Sequence, residues 1–507
     1  MSRPRRVAAA LALGASALLL TGCFAAPPQT GGTGAVGDRV AVAMLQPPRS
    51  GLTPFSDDAF KLSRWRTAET LVQLDAAGDA LPMLATSWSR VDPTTWRFTL
   101  RDDVVFHDGT ALTATHVADV LTRATRASPP PRILDGVDLA ARADGDDAVL
   151  VTTGVADPLV PQRLSSPQLS VLAPAAYTGD RVDPVGHGSG PFRLTAVQGT
   201  TSATLDRHDG YWGEPARVAG VDVTFVPDGT ARAAALRTGT ADVVEAVPPG
   251  QYPLLDPALV HEVPMPRTNT LYLNTARGPF ADPAVRAAAR AAVDRAALVA
   301  SAYEGRADVA QGLLGPALPW AAPLRDDPSY AQALAARPAP AAVRGVPITL
   351  GTFTDRSELP EVAVLLEQQL EAAGFVVTQD VREYAAIEAD ALDGAFDAFV
   401  LSRATVLDSG DPVAYLASDF GCGGGFNISQ FCDPGVQAAL ERAAGTEAGP
   451  ERRAATARAE AAVLAADAAV PLLHERVIQG ESARVDGVAR DPRERDLVTT
   501  DTVLGAP

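Results

Sequence analysis

Thr67-Ala68-Glu69-Thr70-Leu71-Val72-Gln73-Leu74 leads through a turn at Gly78-Asp79 to Leu81-Pro82-Met83-Leu84-Ala85-Thr86-Ser87-Trp88. Trp96-Arg97-Phe98-Thr99-Leu100-Arg101 and Val105-Phe106-His107-Asp108-Gly109-Thr110 follow. By pattern alone the succession reads as a helix, a loop and two strands joined by Asp102-Asp103. Trp96, Phe98 and Leu100 alternate and share one buried face.

Upstream, the chain opens with Arg3, Arg5 and Arg6, continues through the apolar run Val7 to Leu20, and closes on Leu20-Thr21-Gly22-Cys23. A positive start, a short apolar stretch and small residues before a cysteine make an export signal. The run is shorter than the roughly 18 residues a membrane span needs. It resembles a bacterial lipobox, and that resemblance implies cleavage before Cys23, lipid on Cys23, and work on the extracytoplasmic face of the cell membrane. Phe24 to Asp38 is rich in Gly, Pro, Thr and Ala and reads as a flexible tether. The folded body starts near Val40, where Val40, Val42 and Met44 alternate as a first strand.

The formal net charge is −18 over 507 residues, and the export segment takes three arginines and no acid with it. A body this acidic is a poor partner for nucleic acid, whose affinity comes from neutralised phosphates. Lys61 is the only lysine, a bias that carries no functional weight by itself. The length suffices for two or three domains with cores of their own. With Cys23 lipidated, Cys422 and Cys432 remain as an even pair, able to bond in an oxidising compartment. A metal pair is the competing reading, but no second Cys or His pair lies nearby at zinc spacing.

Downstream elements follow local rules. Asp228 caps a helix through Leu236 that ends at Gly239, and Ala241 to Val244 make a strand. Asp282 caps and Pro283 opens a helix whose Val285, Ala289, Ala292, Val293 and Ala296 share a face. Val346, Ile348 and Leu350 alternate as a strand, Glu361 to Ala373 forms a helix stopped by Gly374, and Phe375-Val376-Val377 and then Phe396, Ala398 and Val400 give further strands. This alternation predicts a mostly parallel sheet in the second half.

The opening succession closely resembles extracellular solute-binding protein family 5, the receptors of peptide and nickel ABC transporters. Gly188-Ser189-Gly190-Pro191-Phe192, Asp209-Gly210-Tyr211-Trp212-Gly213, Leu271-Tyr272-Leu273-Asn274 and the stretch Val285-Arg286 to Asp294-Arg295 extend the likeness across the mature chain. At Leu112-Thr113-Ala114-Thr115-His116-Val117, His116 stands where the family usually has an acid. The resemblance implies an α/β fold, two-lobed, of the periplasmic-binding-protein type II, with an inserted subdomain in the first lobe. Expected boundaries are 1–22 for the signal, 23–39 for the tether, 40–55 with 188–265 and 475–507 for lobe I, 56–187 for the insertion, and 266–474 for lobe II.

The same resemblance implies the partners and the site. The partners are a short peptide or similar small solute and the permease and ATPase of an ABC importer; the chain is expected to be monomeric, held to the membrane by lipid, without cofactor or metal. Thr405-Val406-Leu407-Asp408-Ser409-Gly410-Asp411-Pro412 resembles the "GDnGDP" stretch of dipeptide-binding members, which assigns the ligand's ammonium group to Asp408. Ala404-Thr405 stands where the family has Gly-Trp shortly before that aspartate. Thr405, Val406, Leu407, Trp65 and Asn269 are further candidate ligand contacts, and Asp411-Pro412 reads as a turn. A non-peptide solute such as a nickel chelate, and a receptor that feeds no importer, stay open as alternatives. Enzyme signatures fail: Gly186-His187-Gly188-Ser189-Gly190 leads into a strand where a phosphate loop or a serine elbow needs a helix. No catalytic residue is expected, and an extracellular hydrolase lacks a nucleophile with its base.

Overall fold

The computed structural model describes residues 38–406 and 409–505; the export segment, Cys23 and the tether up to Gly37 lie outside them. Its frame is one mixed sheet of 11 strands. At one side, Arg39–Met44 runs parallel to Gly220–Phe225, which continues into the antiparallel hairpin of Ser202–Arg207 and Phe192–Gln198. At the other, Val346–Phe353 lies parallel to both Phe375–Arg382 and Ala398–Ala404. The expected parallel sheet is therefore limited to those three strands. They join the rest through antiparallel pairing of Ala398–Ala404 with Val260–Leu273.

Val260–Leu273 and Ala469–Glu481 are the long central strands, and they pair with each other from Val260↔Gly480 to Tyr272↔Ala469. Their ladder is interrupted between Pro264 and Thr268. The cause is in the sequence: Pro264 and Pro266 have no N–H to donate, so regular pairing cannot pass through them. The ladder between the two central strands is thus broken part-way along its length.

Three main cores surround this frame. One packs Leu271, Leu273, Leu350, Leu366, Val400 and Leu472. A second holds Val40, Val42, Phe192, Leu205, Val221 and Val223 against the opposite half. The third belongs to a separate four-stranded antiparallel sheet built from Ala85–Asp92, Thr95–Leu100, Ala148–Thr153 and Leu139–Ala143. There Trp96, Phe98 and Leu100 are buried on one face, and the helix Ala114–Arg126 covers them with Val117, Val120 and Leu121. No helix among the described residues is long and apolar enough to cross a membrane.

Three local expectations are corrected. Thr67–Leu74 is not helical: the helix lies earlier, at Ala59–Arg64, and Arg66 turns the chain at φ 49° into an extended run with a bridge from Glu69 to Val171. The reason is a backbone crossing. A Cβ on Gly188 would stand 1.8 Å from the Thr67 carbonyl oxygen, and one on Gly190 2.1 Å from that of Arg66. Only glycine lets the two chains meet so closely, and the left-handed turn at Arg66, which takes the chain out of the helix, is what offers the Arg66 and Thr67 carbonyls to them. Val105–Thr110 is likewise a turn rather than a strand, closed by Phe106 N–H donating to the Thr110 carbonyl and by Asp108 accepting from Thr110 N–H. The helix begun by Pro283 stops at Ala292, because Asp294 caps a second one, Arg295–Ala302, by accepting from Ala297 N–H.

Candidate ligand-binding cleft

Where Val346–Phe353 and Ala398–Ala404 reach their carboxyl ends, a cavity of about 800 Å³ opens between them and the inserted subdomain. Ligands of open α/β sheets bind beyond such strand ends. Phe353 and Thr405 come from the strand ends, Tyr384 from the start of the helix Tyr384–Leu392, and Arg132 and Arg163 from the insertion across the gap. Phe353 and Tyr384 meet edge to face at 4.9 Å, which stiffens that wall.

Charge sets this cavity apart from the rest of an acidic molecule. Arg132, Arg163, Arg267, Arg356 and Arg403 all line it, against Asp135, Asp355 and Asp411 among the described lining residues. Most of these arginines are held by carboxylates of their own. Arg403 forks onto Asp419 at 2.9 and 3.0 Å and lies 4.0 Å over the Phe426 ring. Burial lifts the Asp419 carboxyl to about 6, with Arg403 pulling it back. Arg356 donates to Glu475 at 3.0 Å, and Arg163 to Asp157. The aspartates are also engaged: Asp411 accepts from Arg452 and caps Val413 N–H, and Asp355 accepts from Tyr384 N–H.

The expected contacts separate here. Thr405 and Val406 line the cavity, and Thr405 is fixed by donating its N–H (2.8 Å) and hydroxyl (3.2 Å) to the Pro266 carbonyl. Leu407 and Asp408 lie outside the described residues. Asn269 is 0 % exposed and stands behind the wall, where its amide donates to Glu475 at 2.7 Å and its carbonyl oxygen accepts from Tyr303. It positions the carboxylate that positions Arg356. Trp65 does not reach the cleft at all. It is 0 % exposed, its indole N–H points at Met44 Sδ, and its ring lies against Phe225. Leu62, three residues earlier on the same helical face, is the signal that would have assigned it to the core.

Cys422 and Cys432 are joined by a disulfide. It closes the loop that carries Phe426, and so supports one edge of the cleft. His107 is structural: Nε2 lies 2.8 Å from the Gly190 carbonyl oxygen, at the glycine crossing.

The sequence of residues 79–427 matches the model of bacterial extracellular solute-binding proteins, family 5. The chain belongs to that family. A nickel-binding periplasmic protein of Escherichia coli K12 is 29% identical over 383 residues, 69% of this chain and 72% of the relative. A probable di/tripeptide-binding protein of Pseudomonas aeruginosa is 27% identical over 405 residues, 72% and 76% of the two chains. The crystal structure of a nickel ABC transporter protein from Bacillus halodurans superposes with a TM-score of 0.78 over 92% of this chain and all of that one, at 23% identity. The family 5 protein is therefore a two-lobed substrate-binding component of an ABC importer and not an enzyme. Its family works with permease and ATPase subunits and binds small solutes or peptides.

Proposed function

We propose that this receptor is tethered through lipid on Cys23 and captures a peptide-sized solute between its lobes, with a short peptide as the ligand. The cavity carries this reading. About 800 Å³ lies toward the upper end for small-molecule sites, and its walls offer aromatic surface and fixed charges rather than a closed apolar pocket. Asp408 would receive the ligand's ammonium group, with Thr405 and Val406 beside it. The interrupted ladder at Pro264 to Thr268 is the natural hinge between lobe I (40–55, 188–265, 475–507) and lobe II (266–474). Arg453 with Asp79 and Arg90 with Glu447 then join the insertion (56–187) to the segment 447–453. A nickel chelate is the second reading, favoured by the 29% identical nickel-binding relative.

Mass spectrometry of small molecules released when the purified protein is unfolded tests the receptor reading, which fails if nothing of this size comes off. Asp408→Asn tests the ammonium role. It should weaken peptide binding about thirtyfold, the equivalent of roughly 2 kcal/mol for a charge-assisted pair. N-acetylation should cost the native protein a similar factor and the variant little more. Equal affinity of the native protein for free and acetylated peptides would move the search to the chelate.

A further inference from the structure

Among the arginines of the cleft, Arg267 differs from the others. It sits on the central strand Val260–Leu273, opposite Ala404, inside the interruption of the ladder where the halves of the sheet meet. Pro266 precedes it and gives its carbonyl to Thr405, so the backbone that presents Arg267 is fixed from both sides. Yet among the described residues no carboxylate or carbonyl forms an ion pair or hydrogen bond with its guanidinium.

Its surroundings make this costly. Burial and then the charges of Arg356 and Arg132 disfavour its cation, while Glu475 and Glu494 act in its favour from beyond ion-pair range. Glu475 is already committed: Asn269 and Ser402 donate to Oε1 and Arg356 to Oε2. A guanidinium cannot shed its proton at any physiological pH, so it cannot escape by neutralising as a lysine would. An unpaired, partly desolvated cation beside two others is destabilising in the empty protein. An anionic group arriving with the solute removes that penalty.

We infer that Arg267 receives a carboxylate of the bound solute, so that the ligand belongs to the class of small molecules with a carboxylate held away from any ammonium group. This rests on the interlobe cavity being the ligand site. The carboxylate would lie at the floor, within the influence of Arg356 from lobe II and Arg132 from the insertion, and would screen the repulsion between walls of like charge. Ligand binding and closure are coupled in this way through one group.

The test uses the full mature chain, native and Arg267→Gln, with three probes: the C-terminally amidated tripeptides Ala-Glu-Ala-amide, whose only carboxylate is the Glu side chain, and Ala-Gln-Ala-amide, which has none, and citrate. Calorimetric titration of the native protein should favour Ala-Glu-Ala-amide over Ala-Gln-Ala-amide if the carboxylate comes from a peptide, or show binding of citrate if it comes from a chelator. In either arm Arg267→Gln should lose about ten- to a hundredfold for the carboxylate-bearing probe, and for the peptides the discrimination should collapse. The ligand-free variant should melt no lower than the native protein, since it loses a repelled charge and no partner. Equal affinities of native and variant for the carboxylate probes overturn the inference. So does failure of every probe to bind the native protein, a melting temperature several degrees lower with discrimination intact, or recovery of an uncharged solute from the purified protein. That last outcome would leave the receptor reading standing.

Discussion

Glu69 is the residue whose removal tests the account of the fold most directly. Its carboxylate is buried and accepts three hydrogen bonds, from Ser189 Oγ at 2.8 Å, Tyr211 Oη at 2.8 Å and Trp212 Nε1 at 3.0 Å. These donors come from Gly188-Ser189-Gly190 and Asp209-Gly210-Tyr211-Trp212-Gly213, so two separated motifs converge on an acceptor in a third. Glu69→Ala strands all three. A buried donor left without a partner costs about 1–3 kcal/mol. Ser189 is fully buried and belongs near the top of that range, while Tyr211 and Trp212 are half-buried, can reach water, and belong near the bottom. Against this stands the desolvation of the carboxylate itself, which pushes its pKa up and is recovered on removal. The net expectation is a loss of about 3 kcal/mol, read as a lower urea midpoint at unchanged slope. Trp212→Phe supplies the check on cause: it should cost about 1 kcal/mol in the native background and close to nothing once Glu69 is alanine. A loss below about 1 kcal/mol for Glu69→Ala, or a Trp212→Phe effect that is the same in both backgrounds, would refute the reasoning.

Other outcomes follow from the same structure. Burial lowers the His107 pKa from 6.5 to about 4, so the folded protein holds it neutral while the unfolded chain protonates it near 6.5. Its contribution is complete above that pH and is lost as pH falls towards 4, at up to about 1.4 kcal/mol per unit. The stability difference between native protein and His107→Gln should therefore shrink by about 2 kcal/mol between pH 7 and 4.5 in urea titrations; a constant difference would contradict a neutral buried His107. Replacing Cys422 and Cys432 by serine opens a loop with a sequence separation of 10 and should cost about 3 kcal/mol in the loop-entropy model. Hydrogen exchange should rise between Phe420 and Asp433 and not across the whole sheet. Cys23→Ser should release the protein from membranes after a salt wash while ligand binding is kept, and retention in the membrane fraction would exclude the lipid anchor.

Much of the fold was legible because its signals are local. Alternation at Trp96, Phe98 and Leu100, caps at Asp228 and Asp282, and the cavity-lining stretch after the Ala398–Ala404 strand all depend on neighbours two to four residues away. The family likeness could be read from the same stretches, since its motifs are mostly turns, caps and alternating strands. Where the reading failed, a distant partner had overruled the local pattern. Thr67–Leu74 has a helix-compatible composition but is held extended by glycines about 120 residues later, and Trp65 faces Met44 and Phe225 instead of the cleft.

The sequence by itself determined the class of molecule: the acidic body, most of the order of strands and helices, and the motifs of a solute receptor. Only the tertiary structure decided which side chains meet. In composition every arginine is alike, a strong cation on a flexible stem. Arg403 and Arg356 become structural because the fold brings Asp419 and Glu475 to them, and Arg267 is left facing the cleft because both oxygens of Glu475, the carboxylate whose charge favours it most, are already taken. Arg403 finds Asp419 16 residues on, past the end of a strand and along the next helix, and Arg356 finds Glu475 119 residues away, separations that no spacing rule within the sequence encodes.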